Sequence, residues 1–245
     1  MKVLGVIPAR LESTRLARKL LRDVCGKPLI QHVYENVKQA KSLEDVVVAC
    51  DDALLADAVQ KFGGKALLTS KDHQSGTQRI QEVAQKMPAD IYVNIQGDEP
   101  LMPGDNVDLL IRAFADRKEF LVGTLALRKE DDEEFENKNV VKVVCSLTGQ
   151  ALYFSRSPIP CFRDGGDIRF RKHLGIYAYR KEFWKLYSQM KPSALEQAEK
   201  LEQLKFLENG VSMMVVETQY DSIGVDTPQD LEMVKGLLSQ KIATR

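Results

Sequence analysis

The first hundred residues alternate between short, mostly apolar runs and longer segments in which apolar residues recur every three or four positions. Runs at 3–7, 46–50 and 91–95, with a shorter one at 66–69, have the length and composition of buried strands. The segments between them have the periodicity of amphipathic helices. This alternation predicts a mostly parallel sheet between layers of helices, which is the α/β class.

The second half of the chain is less regular. Strand-like runs occur at 121–127, 140–145, 151–155, 173–179 and 212–216, and helices are expected at 181–190, 194–208 and 228–240. The charged segment 129–138 and the segment 163–171, which contains two adjacent glycines, are predicted to be loops. We therefore expect one α/β domain with an antiparallel extension in its second half.

Composition narrows the possible partners. Lys+Arg and Asp+Glu are equal at 35 each, so general attraction to nucleic acid or to an anionic membrane is not expected. The four cysteines are far apart and form no metal-binding or redox pair. No run approaches the roughly 20 apolar residues that span a bilayer, and the chain opens on a strand-like run. We expect a cytoplasmic protein with no nucleic-acid or membrane partner.

A dense group of cations follows the first apolar run. It consists of Arg10, Arg15, Arg18 and Lys19. In open α/β sheets ligands gather at the carboxyl ends of the strands, so these cations lie where a ligand would bind. Together with the hydroxyls of Ser13 and Thr14 they suit a polyphosphate better than a neutral metabolite. A solvated surface loop is the alternative reading.

Two acidic residues are candidate metal ligands. Asp98 follows the run at 91–95, and Mg²⁺ typically takes one or two protein carboxylates together with phosphate oxygens. A turn-forming role for Asp98 is equally compatible with its position. Thr227 is a natural helix N-cap, and Pro228 fits the first helical position, so the preceding Asp226 is not needed for the cap. Asp226 supports a metal site only if the fold pairs it with Asp98.

Other polar positions give weaker signals. The segment 69–79 is dense in hydrogen-bonding groups, which suits a base or a ribose but also a polar surface loop. The guanidinium of Arg156 could hold the carboxylate of an acidic sugar. His173 lies on an apolar run, where a histidine is more often a core residue than a ligand. The Gly-rich patterns of P-loop kinases and of dinucleotide-dependent dehydrogenases are absent.

Segments that run in order along nearly the whole chain match the motifs of one family. They are Ile7-Pro8-Ala9-Arg10, Ser13-Thr14-Arg15-Leu16 with Lys19, Asp72-His73-Gln74-Ser75-Gly76-Thr77 with Arg79, Asn94-Ile95-Gln96-Gly97-Asp98-Glu99-Pro100, Val141-Lys142-Val143-Val144, Ala151-Leu152-Tyr153-Phe154-Ser155-Arg156, His173-Leu174-Gly175-Ile176-Tyr177, Leu201-Glu202-Gln203-Leu204 and Gly224-Val225-Asp226-Thr227-Pro228. In this combination the chain resembles the bacterial 3-deoxy-manno-octulosonate cytidylyltransferases, or CMP-Kdo synthetases, of lipopolysaccharide biosynthesis.

The resemblance implies a three-layer, Rossmann-like nucleotide-diphospho-sugar transferase fold, a single domain over residues 1–245, a homodimer and Mg²⁺. It implies transfer of CMP from CTP to Kdo, an eight-carbon acidic sugar, with release of pyrophosphate. The catalytic residues would be Arg10, Arg15, Lys19 and Asp98, and the metal ligands would be Asp98 and Asp226. The CTP site would comprise Pro8, Ala9, Arg10, Arg15, Lys19, His73, Ser75, Gly76, Arg79 and Gln96. The sugar site would comprise Arg156, His173, Tyr177, Glu202 and Gln203.

One segment departs from the family pattern. The family usually has Leu-Pro-Gly-Lys-Pro-Leu where this chain has Leu16-Ala17-Arg18-Lys19-Leu20-Leu21, and Gln78 replaces a usual glutamate. Loss of the proline and the glycine at positions 17 and 18 changes the backbone conformations open to the loop, and Arg18 is a candidate for an added phosphate contact. The alternatives are another acidic sugar, an 8-amino Kdo analogue or a sialic acid, and, from a different class, a catalytically silent nucleotide-binding protein.

Overall fold

The structure is a computed structural model that describes residues 1–13, 16–166 and 168–243, without the side chains of 241–243. The strands are β1 (Val3–Ala9), β2 (Asp23–Val24), β3 (Lys27–Pro28), β4 (Asp45–Cys50), β5 (Ala66–Leu68), β6 (Ile91–Asn94), β7 (Val122–Lys129), β8 (Lys142–Cys145), β9 (Ala151–Ser155), β10 (Phe170–Arg180) and β11 (Met213–Thr218). The helices are α1 (Leu29–Val37), α2 (Ala53–Lys61), α3 (Gly76–Lys86), α4 (Gly104–Asp116), α5 (Asp132–Glu136), α6 (Phe183–Tyr187), α7 (Ala194–Glu199), α8 (Gln203–Glu208) and α9 (Pro228–Ala243), with a 3-10 helix at Lys19–Leu21. The chain divides into two compact units, residues 1–108 with 222–245, and residues 109–221.

The first unit contains the parallel sheet predicted from the apolar runs. Strand β1 pairs in parallel with β4 on one side and β6 on the other, and β5 pairs in parallel with β4. Val6, Ile7 and Val48 are completely buried, as expected for strands covered on both faces. Since the strands are parallel, the segments that follow β1 and β6 leave the sheet at the same edge.

Helices of the first unit begin at the caps that their sequences provide. The Asp52 side chain accepts a hydrogen bond from the backbone N–H of Leu54 and starts α2, and Ser75 does the same for Gln78 at the start of α3. Helix α2 ends just before Gly63, whose positive φ of 78° turns the chain out of the helix. The amphipathic segments predicted between the apolar runs are therefore the helices α1, α2 and α3.

The second unit contains the antiparallel extension. Strand β7 pairs antiparallel with β10 and parallel with β11. Strands β8 and β9 form an antiparallel hairpin, and β8 pairs with β10 through Lys142 and Lys172. An aromatic cluster that includes Tyr179, Phe183 and Phe206 packs α6 and α8 against β10, with ring centroids 5.0–6.3 Å apart.

Several elements differ from the sequence predictions. The short strands β2 and β3 are additional, and β10 begins at Phe170, inside the predicted loop 163–171. Helix α4 is additional, although its buried residues Val107, Leu110, Ile111 and Phe114 have helical spacing that could have revealed it. The predicted loop 129–138 contains the short helix α5, which the side chain of Asp131 caps. The predicted helix 194–208 is two helices, α7 and α8. Lys200, at the end of α7, adopts a left-handed backbone with a φ of 53° and breaks the hydrogen-bond pattern.

Within the ranges that the structure describes, no helix combines the length and the apolar character needed to cross a membrane.

Candidate active site

A cavity of about 420 Å³ lies in the first unit, where β1 and β6 end. It is lined by Pro8, Arg10, Glu12, Ser13, Lys19, Leu20, Gly76, Arg79, Gln96, Gly97, Asp98 and Asp226. Eight of these are predicted site residues, namely Pro8, Arg10, Lys19, Gly76, Arg79, Gln96, Asp98 and Asp226. Segments that are far apart in the sequence therefore converge on one cleft.

Lys19 joins the two predicted metal ligands. Its Nζ lies 2.6 Å from Oδ2 of Asp98 and 3.1 Å from Oδ1 of Asp226. Lys19 is only 8% exposed, whereas the side chains of Asp98 and Asp226 are 31% and 45% exposed, so the contact is shielded from water on the lysine side alone. The backbone also ties the two acidic segments together, since the N–H of Val225 donates to the carbonyl of Asp98 at 2.9 Å. The fold thus pairs Asp98 with Asp226.

Helix α9 begins just after Asp226 and is capped by Thr227 and Asp230. Thr227 Oγ1 accepts from the N–H of Asp230, and the Asp230 carboxylate accepts from the N–H groups of Thr227 and Asp226. Burial opposes ionisation of Asp230, but these backbone hydrogen bonds lower its pKa. The helix start is complete without the Asp226 carboxylate, as the sequence predicted.

The donor set fits a hard divalent cation. Two carboxylates converge at a cavity that Arg10 also lines, and the described residues contain no cluster of three or more His, Cys, Asp and Glu side chains that could form a closed metal cage. Mg²⁺ does not require such a cage, because it usually binds through one or two carboxylates, substrate phosphates and water. The pair therefore suits a cation that arrives with its substrate.

Gly97 allows the segment after β6 to pack against β1. A Cβ at this position would lie 3.1 Å from the carbonyl oxygen of Pro8 and 3.5 Å from side-chain atoms of Ile7 and Ile30. The backbone oxygen cannot move away cheaply, so a larger residue would displace the segment that carries Gln96 and Asp98. Gly97 lines the cavity and was not among the predicted site residues.

Arg79 is fully buried beside the cavity. Its Nη1 donates to Thr69 Oγ1 at 2.5 Å and to the Ser70 carbonyl at 3.0 Å, and its Nη2 lies 3.9 Å from Oδ2 of Asp51. Burial lowers the pKa of Arg79, and Nε and Nη2 have no hydrogen-bond partner among the described residues. A buried guanidinium whose N–H groups lack acceptors can still donate hydrogen bonds to a ligand.

The loop 69–75, which precedes α3, is fixed by a short network. The Arg10 Nη2 donates to the carbonyl of His73 at 2.5 Å, and the ring of His73 contacts the Glu82 carboxylate at 2.5 Å. Burial opposes ionisation of Glu82, but hydrogen bonds from Lys86, the Ser70 N–H and His73 lower its pKa to about 2. Glu82 therefore acts as the ionised anchor of this loop.

The low pKa of Glu82 predicts a pH-dependent contribution to stability. Because the folded value lies below the ordinary 4.5, the contribution is complete above about pH 4.5 and is lost as the pH falls towards 2. Glu82→Gln is expected to lower the free energy of unfolding by about 2–3 kcal/mol at pH 7. Urea denaturation between pH 7 and pH 3 should show the gap to wild type narrowing. Glu119→Gln, at an exposed pair with Arg117, should show a smaller gap, and a gap for Glu82→Gln that does not change with pH would contradict the assignment.

Three predicted CTP residues are not among those that line the cavity. Ala9 is buried, and the Ser75 hydroxyl caps α3. His73 contacts Glu82 through its ring. Arg15 lies outside the described residues, so its predicted phosphate contact stays a prediction. Conversely, Glu12 and Leu20 line the cavity without having been predicted as site residues.

Arg18 has a left-handed backbone, with a φ of 49° and a ψ of 40°, immediately before Lys19. The family that this chain resembles usually has glycine at this position. A Cβ in this region costs about 1–2 kcal/mol. The side chain is 61% exposed, lies 3.9 Å from Glu12 and is not among the described residues that line the cavity. Its suggested phosphate contact stays a prediction.

Arg18→Gly is expected to raise the free energy of unfolding by up to about 1 kcal/mol, because relief of the left-handed strain outweighs the added freedom of the unfolded chain. Arg18→Ala is the matched control, since it removes the same guanidinium but keeps the Cβ. Urea denaturation of both variants checks this. Equal stabilities for the two would show that the backbone at this position is not strained.

The predicted sugar residues all lie in the second unit. His173 packs against Tyr177 with ring centroids 5.4 Å apart, and its Nε2 lies 3.0 Å from Thr124 Oγ1. Burial lowers the pKa of His173 to about 3, so the ring is neutral at pH 7. Glu202 accepts a hydrogen bond from the Tyr187 hydroxyl at 2.9 Å. Gln203 is buried at the start of α8, and Arg156 contacts the end of α7.

Comparison with known proteins identifies the class. The family model described as Cytidylyltransferase matches residues 4–216. A solved structure of a CMP:2-keto-3-deoxy-manno-octonic acid synthetase complexed with CTP is 45% identical, with a TM-score of 0.94, and the match covers 98% of this chain and 100% of that one. A 4-diphosphocytidyl-2C-methyl-D-erythritol synthase from Anaerococcus prevotii is 13% identical with a TM-score of 0.63 over 97% of this chain and 98% of that one, which indicates a shared fold.

Together the fold and the family model define a nucleotidyltransferase, and the predicted nucleotide-diphospho-sugar transferase fold is confirmed. A 3-deoxy-manno-octulosonate cytidylyltransferase from Geobacter sulfurreducens is 49% identical over 245 residues, which cover 96% of this chain and 98% of that protein. The chain belongs to the 3-deoxy-manno-octulosonate cytidylyltransferase family, as its motifs indicated.

Proposed function

We propose that this protein transfers CMP from CTP to 3-deoxy-D-manno-octulosonate, forming CMP-Kdo and pyrophosphate. The observation that carries the proposal is the contact of Lys19 with both Asp98 and Asp226 at a cavity of about 420 Å³ that Arg10 and Arg79 also line. Cations beside paired carboxylates suit a triphosphate that binds together with a divalent cation. Membership of the family supports CTP as the nucleotide and Kdo as the acceptor.

The reaction is an in-line displacement at the α-phosphorus of CTP. The anomeric hydroxyl of the sugar forms the new O–P bond and loses its proton, and the bond to the β-phosphate breaks, so pyrophosphate leaves. Arg10 and Lys19, with Arg15 as a further candidate, would hold the triphosphate and neutralise the charge that develops on it. Most of the rate enhancement would come from positioning and electrostatics.

Asp98 and Asp226 would hold Mg²⁺, the cofactor that we propose. When bound, the ion supplies positive charge that stabilises the transferring phosphoryl group. Lys19 occupies the space between the two carboxylates in the structure, so it would exchange this contact for one with phosphate oxygens.

In the second unit we propose that Arg156, His173, Tyr177, Glu202 and Gln203 contribute to the sugar subsite. Because His173 is neutral at pH 7, its contact with the sugar would be a hydrogen bond rather than an ion pair. Further parts of the proposal are that residues 1–245 act as one cytidylyltransferase domain and that two copies form a homodimer. A cytoplasmic location stays a prediction.

The test is pyrophosphate release from the purified protein with CTP and Mg²⁺, with Kdo, its 8-amino analogue and a sialic acid compared side by side. We expect release with Kdo in preference to the other two. Preference for one of the others would keep cytidylyl transfer and change the sugar. Binding of CTP without release in any of the three would support the non-catalytic alternative.

A further inference from the structure

Lys142, at the start of β8, is fully buried and has no part in the reaction described above. Its Nζ donates to the carbonyl oxygens of Arg156 at 2.6 Å, Val140 at 2.7 Å and Asn137 at 3.0 Å. All three acceptors are backbone carbonyls rather than carboxylates. Burial lowers the pKa of Lys142, which reflects the free energy that is needed to keep a charge there. The three bonds fasten the segment between α5 and β8 to the residue that follows β9.

The carbonyl with the shortest of these contacts belongs to Arg156, a predicted sugar residue. The Arg156 side chain donates from Nε to the Glu199 carbonyl at 2.7 Å and from Nη1 to the Lys138 carbonyl at 3.0 Å. Its backbone N–H donates to the Glu199 carboxylate at 2.9 Å, and Ser155 Oγ donates to the same carboxylate at 2.6 Å. Lys142 fastens the segment between α5 and β8, and Arg156 connects that segment to the end of α7.

The end of α7 is the turn that precedes two further predicted sugar residues. The Lys200 carbonyl accepts from Nη2 of Arg156 at 3.5 Å, and Lys200 has the left-handed φ of 53°. Such a backbone persists in a lysine only where its surroundings hold it. Glu202 and Gln203 follow within one turn of α8. Their orientation depends on this turn.

We propose that Lys142 is a positioning residue for the acidic-sugar subsite, an inference that rests on the function proposed above. Through the carbonyl of Arg156 it fixes the guanidinium, and through the guanidinium it fixes the turn that presents Glu202 and Gln203. All of these residues belong to the second unit, whereas the residues that line the cavity belong to the first. Loss of the ammonium should therefore weaken sugar binding and spare nucleotide binding.

The experiment is steady-state kinetics of Lys142→Met, which keeps an unbranched side chain only one atom shorter and removes its donors. We expect the KM for the sugar to rise by about tenfold or more, with the KM for CTP within about twofold of wild type. Lys142→Gln keeps two amide donors without the charge, so its KM for the sugar should lie between those of wild type and Lys142→Met. Lys129→Met is the matched control, because Lys129 pairs with Glu134 and Asp221 in the same unit and has no bond to Arg156.

Wild-type protein is assayed first. If it releases no pyrophosphate, that result counts against the proposed function and not against the positioning role of Lys142. With an active wild type, equal rises in both KM values, or a sugar KM no higher than that of Lys129→Met, would overturn the positioning role. If the Lys142 variants do not fold, Glu199→Gln tests the same chain of contacts from its other end. An unchanged sugar KM in that variant would likewise overturn the proposal.

Discussion

Replacement of Asp98 by asparagine is expected to leave the fold intact and to slow pyrophosphate release by at least about a hundredfold. The amide matches the carboxylate in size but lacks the charge that, together with Asp226, would hold the cation. The Asp98 side chain is 31% exposed, and its segment is held through its backbone by Val225, so the structural cost is small. A coupled pyrophosphate assay at saturating CTP and sugar, with circular dichroism of the variant, measures both parts.

Glu99→Gln is the matched control for this substitution. Glu99 is the next residue along the chain, and its carboxylate accepts a hydrogen bond from Ser222 Oγ at 2.7 Å instead of contacting Lys19. The Glu99→Gln substitution removes one negative charge from the same segment, and the variant should retain most of the turnover. A rate for Asp98→Asn close to that of Glu99→Gln would remove Asp98 from the proposed metal site.

The sequence was most informative where local pattern decides structure. The runs that form β1, β4 and β6 are mostly apolar because both of their faces are buried, and that property is visible without coordinates. Asp98 could be selected as a candidate from the end of a strand, and Asp226 from the start of a helix. Local pattern could not pair them, although the resemblance implied both as metal ligands. Their pairing depends on the backbone contact between Val225 and Asp98 and on the reach of Lys19, and both are tertiary contacts.

The residues predicted for the sugar site show why some contacts could not be predicted. Arg156 was selected for its charge, yet its guanidinium donates to backbone carbonyls of Lys138 and Glu199, and a carbonyl acceptor leaves no mark in a sequence. In the sequence, Lys142 is an ordinary charged residue at the start of a strand, and nothing there indicates that it is fully buried. The break at Lys200 was also hidden, because a lysine in the left-handed region has no local signature.

Lys19→Met is expected to lower turnover by about a hundredfold or more and also to destabilise the protein in the absence of nucleotide and metal. Without the ammonium, the carboxylates of Asp98 and Asp226 lose the positive charge that lies between them. Their side chains are 31% and 45% exposed, so the free energy of unfolding should fall by about 1–2 kcal/mol, less than at a fully buried pair. Thermal and urea denaturation measure this loss.

The same variant separates two roles of Lys19. If Mg²⁺ binds the two carboxylates that Lys19 contacts, its removal ends a competition, and a given Mg²⁺ concentration should raise the melting temperature of Lys19→Met more than that of wild type. Lys65→Met, which breaks an exposed pair with Asp45, should change neither turnover nor the Mg²⁺ shift. Equal Mg²⁺-induced rises of the melting temperature in Lys19→Met and wild type would contradict the metal role of Asp98 and Asp226. A loss of turnover would not change that conclusion, because the variant also loses the proposed phosphate contact of Lys19, and that loss alone accounts for the lower turnover.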